Sequence, residues 1–141
     1  MPKLARVSHR QQLQAYTWMN EFDRDIFVFN TTGPYWLTYY NSLIFHSINT
    51  QKRLVTSRQF TTDLCFDMIE KYKFDSIFVL PSYISLLIES PRFASADWTC
   101  LKNFVTGGLY VSANLRNKIQ EKLTNGILKI GWVLIKFTKI Y

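Results

Sequence analysis

Histidine, cysteine and glycine are all scarce in this chain. Two histidines (His9, His46) and two cysteines (Cys65, Cys100) match no recognised zinc-ligand spacing. Without a Cys-x-x-Cys, the cysteines read as two buried thiols in a reducing compartment, Cys65 on an apolar helix face. Five glycines and four prolines in 141 residues leave no linker, repeat or low-complexity segment. Neither Gly-x-x-x-x-Gly-Lys-Ser/Thr nor Gly-x-Gly-x-x-Gly occurs, so the familiar phosphate-binding loops are excluded. Gly-x-Ser-x-Gly is also missing, so no nucleophile elbow is indicated. No apolar run is long enough to span a bilayer. The final "GILKIGWVLIKFTKIY" is interrupted by Lys129, Lys136 and Lys139. The start, "MPKLARVSHRQQLQ", has no signal-peptide core, and the end is not Ser-Lys-Leu. The default expectation is therefore an intracellular, cytoplasmic protein.

Acidic residues are the minority, 10 against 17 basic, for a net charge of +7. The basic residues are scattered and form no run among aromatics, so a nucleic-acid partner is not expected. A basic membrane-surface binder ranks equally low. Hydrophobic residues are abundant at 48% and aromatics reach 16%, which suits one packed domain.

Strands and helices are expected to alternate. Ser8 caps a helix through "HRQQLQAYTWMNEF", and "DIFVFN" (residues 25–30) follows as a buried strand. After a turn at Gly33-Pro34 come a helix, "YWLTYYNSLIFHSI", and a short strand, "RLVTS". In "TTDLCFDMIEKYKF", Cys65, Met68, Ile69 and Tyr72 recur at helical spacing behind a Thr61 or Thr62 cap. "DSIFVL" is a strand, Pro81 opens the next helix and Pro91 closes it. "LKNFVTGG" is a strand ending on Gly107-Gly108. The helix after Ser112 carries Leu115, Ile119 and Leu123 on one face and stops at Asn125-Gly126. "ILKIGW" is the last strand.

This alternation implies an α/β fold with a mostly parallel sheet and helices on both faces. Ligands of such folds bind beyond the carboxyl ends of the strands. Three loops fall there: Thr31–Tyr35, Thr106–Ser112 and whatever follows Gly131. In "TGGLYVS", paired glycines allow close approach of a ligand, and Ser112 heads a helix whose N-terminus favours anions. A plain strand–helix turn explains the same glycines. His46 reads as a packed core histidine, and His9 as exposed.

The order of motifs resembles the adenylate-forming (AMP-binding) enzymes: acyl-CoA synthetases, coumarate-CoA ligases and beetle luciferases. "PKLARVSH" resembles the end of that family's phosphate loop, "TGGLYVS" its Gly-Gly-Ala-Pro-Leu-Ser loop, and "IGW" the start of Gly-Tyr-Gly-x-Thr-Glu. Between them, "MIEKYKFDSIFVLPSYISLLIESP" is similar to the family's helix–strand–helix. The resemblance covers essentially the whole chain. It implies a single partial N-terminal subdomain over residues 1–141 of a larger adenylation-domain fold, without the C-terminal domain that brings the catalytic lysine.

The family's reaction activates a carboxylic acid with ATP and Mg to acyl-AMP, then passes it to CoA. By resemblance, the residual nucleotide site is Lys3, Gly107, Gly108, Leu109, Gly131 and Trp132, and Tyr35 and Trp36 lie near the acyl pocket. No residue matches a catalytic or metal-binding position. Leu4 stands for a phosphate-loop Gly, Leu109 for Ala, Val133 for Gly, Ile135 for Thr and Lys136 for the Mg-holding Glu. A protonated lysine has no lone pair for magnesium and repels the ion. The chain is expected to be catalytically inactive and to bind no nucleotide tightly. Two other roles remain open: an interaction module or decoy for a full-length relative, and self-association through exposed strand edges. A further account of the tail after Trp132 is translated intron, since valine codons begin with G-T and the rest can be A- and T-rich.

Overall fold

The computed structural model describes residues 8–11, 27–33, 36, 39, 53–54 and 59–131. Five strands form one sheet: β1 (Val28–Asn30), β2 (Arg53–Leu54), β3 (Ser76–Phe78), β4 (Asn103–Gly107) and β5 (Ile127–Gly131). Their order is β2-β1-β3-β4-β5, and every neighbouring pair is parallel. The α/β alternation and parallel sheet expected from the sequence are what the chain forms. Because the order reverses between β1 and β3, a crevice is expected at their carboxyl ends.

The helices are α1 (Thr62–Tyr72), α2 (Pro81–Glu89), α3 (Arg92–Ser95) and α4 (Ala113–Lys122). Register puts Phe29, Ile77, Phe104 and Leu128 at one level, hence on one face of the sheet. They form the core with Cys65, Phe66 and Ile69 of α1, Ile84 and Leu87 of α2, and Ile119 of α4. Phe29, Phe74 and Trp98 add ring contacts: Phe29 lies 5.1 Å from Phe74, and Trp98 stacks 5.9 Å from Phe104. The opposite face carries Val28, Ser76 and Asn103 at one level and Asn30, Phe78 and Val105 at the next. Residues 9–11 are helical, and Ser8 and Gln11 form a reciprocal cap: Ser8 N–H donates to Gln11 Oε1 at 2.8 Å and Gln11 N–H to Ser8 Oγ at 3.2 Å. The rest of that helix and the helix expected after Gly33-Pro34 lie outside the described residues.

Local chemistry explains most boundaries. Thr61 Oγ1 accepts from Leu64 N–H at 3.1 Å and starts α1. Lys73 is the C-cap at φ 47°, its backbone N–H donating to the Ile69 carbonyl. Tyr72, expected on the buried stripe, is exposed, with the Lys71 ammonium 5.2 Å from its ring. Pro91 closes α2 as expected and also begins α3, which puts Arg92 against α1. The Arg92 guanidinium meets Asp67 at 2.8 Å and Glu70 at 3.1 Å and lies 5.3 Å from the Phe66 ring.

Asn125-Gly126 does not stop α4, which ends at Lys122. Gly126 is needed for a long-range reason: a Cβ there would collide with the Leu101 carbonyl oxygen. At the amino edge, Asp75 ties three strand starts. Its carboxylate accepts from Phe27 N–H at 3.1 Å and pairs with Lys102 at 2.9 Å. Its carbonyl accepts from Lys102 and Asn103 N–H at 2.7 and 3.0 Å.

Candidate nucleotide-facing edge

All strands point the same way, so the loops after β1 and β4 and the end of β5 share one edge of the sheet. Gly107 ends β4 and stands opposite Gly131, which ends β5. A Cβ on Gly107 would run into the Gly131 carbonyl oxygen, so the two backbones approach as only glycine at 107 allows. Gly108 then turns the chain at φ 92, in the left-handed region, and has open space where a side chain would be. Leu109 and Tyr110 follow and project outward. Ser112 Oγ accepts from Leu115 N–H at 3.3 Å and caps α4.

Thr106, just before the glycines, is fully buried, and its hydroxyl has no hydrogen-bond partner among the described residues. An unmet hydroxyl of this kind costs about 1–3 kcal/mol. The β1 end is also polar. Asn30 Oδ1 accepts from Thr32 N–H at 2.8 Å and from Thr32 Oγ1 at 2.6 Å. Thr31 Oγ1 donates to the Phe78 carbonyl at 2.7 Å, tying β1 to β3 where the strand order reverses. Asn30 and Thr32 were not singled out by motif; the signal was an Asn-Thr-Thr following an apolar strand, where an Asn side chain readily bonds the backbone two residues on.

Of the residues expected at the nucleotide site, the structure brings Gly107 and Gly131 together and sets Gly108 and Leu109 beside them. Lys3 and Trp132 lie outside the described residues, as does Tyr35 of the expected acyl pocket. Trp36 is exposed, and its backbone N–H donates to the Gly33 carbonyl at 3.1 Å. Lys129 lies two residues before Gly131, and partial burial holds its ammonium pKa below the usual lysine range. A shallow groove elsewhere, lined by Gln59, Thr61, Asp63, Leu64 and Asp67, contains none of these residues, and its carboxylates oppose a phosphate. Among the described residues no cluster of His, Cys, Asp and Glu could hold a metal ion, and no helix is long and apolar enough to cross a membrane.

The sequence matches no known family profile and no curated protein sequence. Its fold does have relatives among solved structures. A luciferase-like enzyme from the nonluminescent mealworm Zophobas morio is 26% identical and superposes with a TM-score of 0.78 over 92% of this chain and 31% of its own. The N-terminal domain of FACL13 from Mycobacterium tuberculosis is 16% identical, with a TM-score of 0.81 over 92% of this chain and 33% of its own. A long-chain-fatty-acid-CoA ligase from Archaeoglobus fulgidus is 18% identical, with a TM-score of 0.72 over 89% of this chain and 26% of its own. The chain thus spans at most about a third of the structures it matches. In fold the chain is similar to part of the adenylate-forming enzymes, among them acyl-CoA ligases and a luciferase-like enzyme.

Proposed function

We propose that this chain supplies the base-facing wall of an AMP-binding domain and does not itself carry out adenylation. The carrying observation is the backbone contact between Gly107 and Gly131, which places two motif glycines side by side at the ligand edge of the sheet. Gly108 leaves the backbone bare for a flat ligand, and the capped start of α4 lies just beyond. These residues fit a nucleoside. Matched proteins include an ATP-bound MatB and an anthranilate CoA ligase in complex with anthranoyl-AMP.

Magnesium is a poorer fit. By resemblance, its carboxylate position is Lys136, and the neighbouring hydroxyl position is Ile135. In the family, ATP supplies the adenylyl group and magnesium neutralises its phosphates; transfer depends on such positioned charge. The reading therefore assigns Gly107, Gly108, Leu109, Gly131 and Trp132 to holding the base, Lys3 to a residual phosphate contact, and Tyr35 and Trp36 to the acyl side. None of them is assigned a chemical step.

Calorimetry with AMP tests the binding half, with weak but saturable binding expected. Absence of binding at millimolar AMP would remove it. ATP–pyrophosphate exchange tests the inactivity half. Exchange well above background, with any carboxylic acid, would overturn it.

A second reading is an interaction module for a full-length relative or a second copy. The observation in its favour is β5, the last of the described strands, where Ile127 is 54% exposed. Size-exclusion chromatography separates the two readings, since a concentration-independent monomer argues against dependence on pairing.

A further inference from the structure

Among the described strands, β5 has one neighbour, β4. Backbone groups along β5 face β4 and the outer edge in turn. Ile127 N–H faces β4 and donates to the Lys102 carbonyl at 3.0 Å. The groups flanking that residue face outward, and both meet one side chain of α4. Gln120 Nε2 donates to the Gly126 carbonyl at 3.1 Å, and Leu128 N–H donates to Gln120 Oε1 at 3.0 Å. A residue of a neighbouring parallel strand would make the same pair of bonds with its own backbone. Gln120 thus stands opposite Ile127, where a further strand would begin. A carboxylate or an ammonium could make only one of the two bonds.

We propose that Gln120 is a latch that closes the outer edge of β5 against a second copy of this chain. An apolar edge with outward backbone groups is a template for strand addition, and β5 offers Leu128 and Ile130 on that side. Two copies related by a two-fold axis pair such edges antiparallel. The register that joins Leu128 of one copy to Ile130 of the other needs the Leu128 N–H of both, and Gln120 holds it. The same register sets Lys129 opposite Lys129, and like charges directly opposed add a second barrier. The latch is independent of nucleotide binding. It narrows the second reading above, because pairing through β5 requires the amide to leave first.

The test is sedimentation velocity over a wide concentration range on the full chain, its Gln120→Ala variant and the double variant Gln120→Ala, Ile130→Pro. High salt screens the opposed Lys129 charges. Ile130→Pro removes the N–H that the pairing needs, and proline is tolerated on an edge strand. The parent is expected to stay monomeric. Gln120→Ala is expected to move toward twice the monomer mass as concentration rises, and the double variant to return to monomer. A folded Gln120→Ala chain that stays monomeric overturns the latch, even if its melting temperature falls, and leaves Gln120 as a tie between α4 and β5. A parent that dimerises as readily as Gln120→Ala overturns it as well. So does a Gln120→Ala dimer that survives Ile130→Pro, because it then forms through another surface. If Gln120→Ala does not fold, Gln120→Asn carries the same comparison, since its shorter amide cannot reach both backbone groups.

Discussion

Gly107 and Gly131 stand opposite each other at the ends of adjacent parallel strands, and the space belongs to one partner more than the other. A Cβ on Gly107 meets the Gly131 carbonyl, whereas a Cβ on Gly131 has its nearest neighbour at 3.9 Å. Gly107→Ala is therefore expected to destabilise by about 1–3 kcal/mol, the usual cost of overpacking. Gly131→Ala should cost less than about 1 kcal/mol. Urea denaturation of the two variants checks the asymmetry, and equal losses would contradict it.

Gly108 fails differently. It has room for a side chain but a φ of 92. Gly108→Ala is expected to cost about 1–3 kcal/mol through the backbone alone. Larger side chains should cost little more than alanine. A steep dependence on size, read from thermal melts, would mean that space rather than conformation governs the position.

Asp97 sets an acid-side limit. Its carboxylate accepts from the Thr99 hydroxyl at 2.6 Å and the Thr99 N–H at 2.9 Å and pairs with Lys73 at 3.1 Å. These contacts, the Thr99 hydroxyl foremost, hold its pKa well below the usual carboxylate range. A lowered folded pKa gives stability that is present above the ordinary Asp value of about 4 and lost as pH falls below it. Asp97→Asn should flatten the acid limb of the stability profile and leave its alkaline limb unchanged. An acid limb as steep as the parent's would exclude Asp97 as its source.

The two thiols are expected to react in sequence. Burial pushes Cys65 up to about 12, and the side chain is 1% exposed. Cys100 is only partly buried, and the nearby Lys73 charge opposes the rise that burial causes. Alkylation at neutral pH, followed by mass spectrometry, should modify Cys100 first and Cys65 only after unfolding. Early labelling of Cys65 would show that the core opens more readily than its packing implies.

Arg92 holds α3 to α1 with three carboxylates and the face of Phe66, but those carboxylates are largely exposed. Exposed pairs contribute little, so Arg92→Ala should cost only about 1 kcal/mol. Arg92→Met, which keeps the apolar stem, should recover part of the loss in high salt. Denaturation at low and high salt separates packing from charge.

The features legible in the sequence were those set by near neighbours. Thr61 and Ser112 announce their helices because a cap needs only the next three residues. Ile119 and Leu123 fall on the buried stripe that their spacing implies. Gly126 was misread because its purpose depends on Leu101, in a different part of the chain. α3 was missed because four residues show no period and Pro91 reads as a stop. At the candidate site, the glycine pair at 107 and 108 was visible, but its division of labour was not. Only strand register shows that one glycine makes room for Gly131 and the other turns the chain. Asn30 and Thr32 came to notice once the strand order placed the reversal beside them.

Asp75 gives the fold a property of a different kind. With Phe27, Lys102 and Asn103 it clasps three neighbouring strands at the rim farthest from the glycines. The strands are thus aligned by contacts that owe nothing to ATP, magnesium or acid. The rim that aligns the strands is therefore separate from the rim that carries Gly107 and Gly131. Residues at the glycine rim can therefore change without loosening the clasp that sets the strand register.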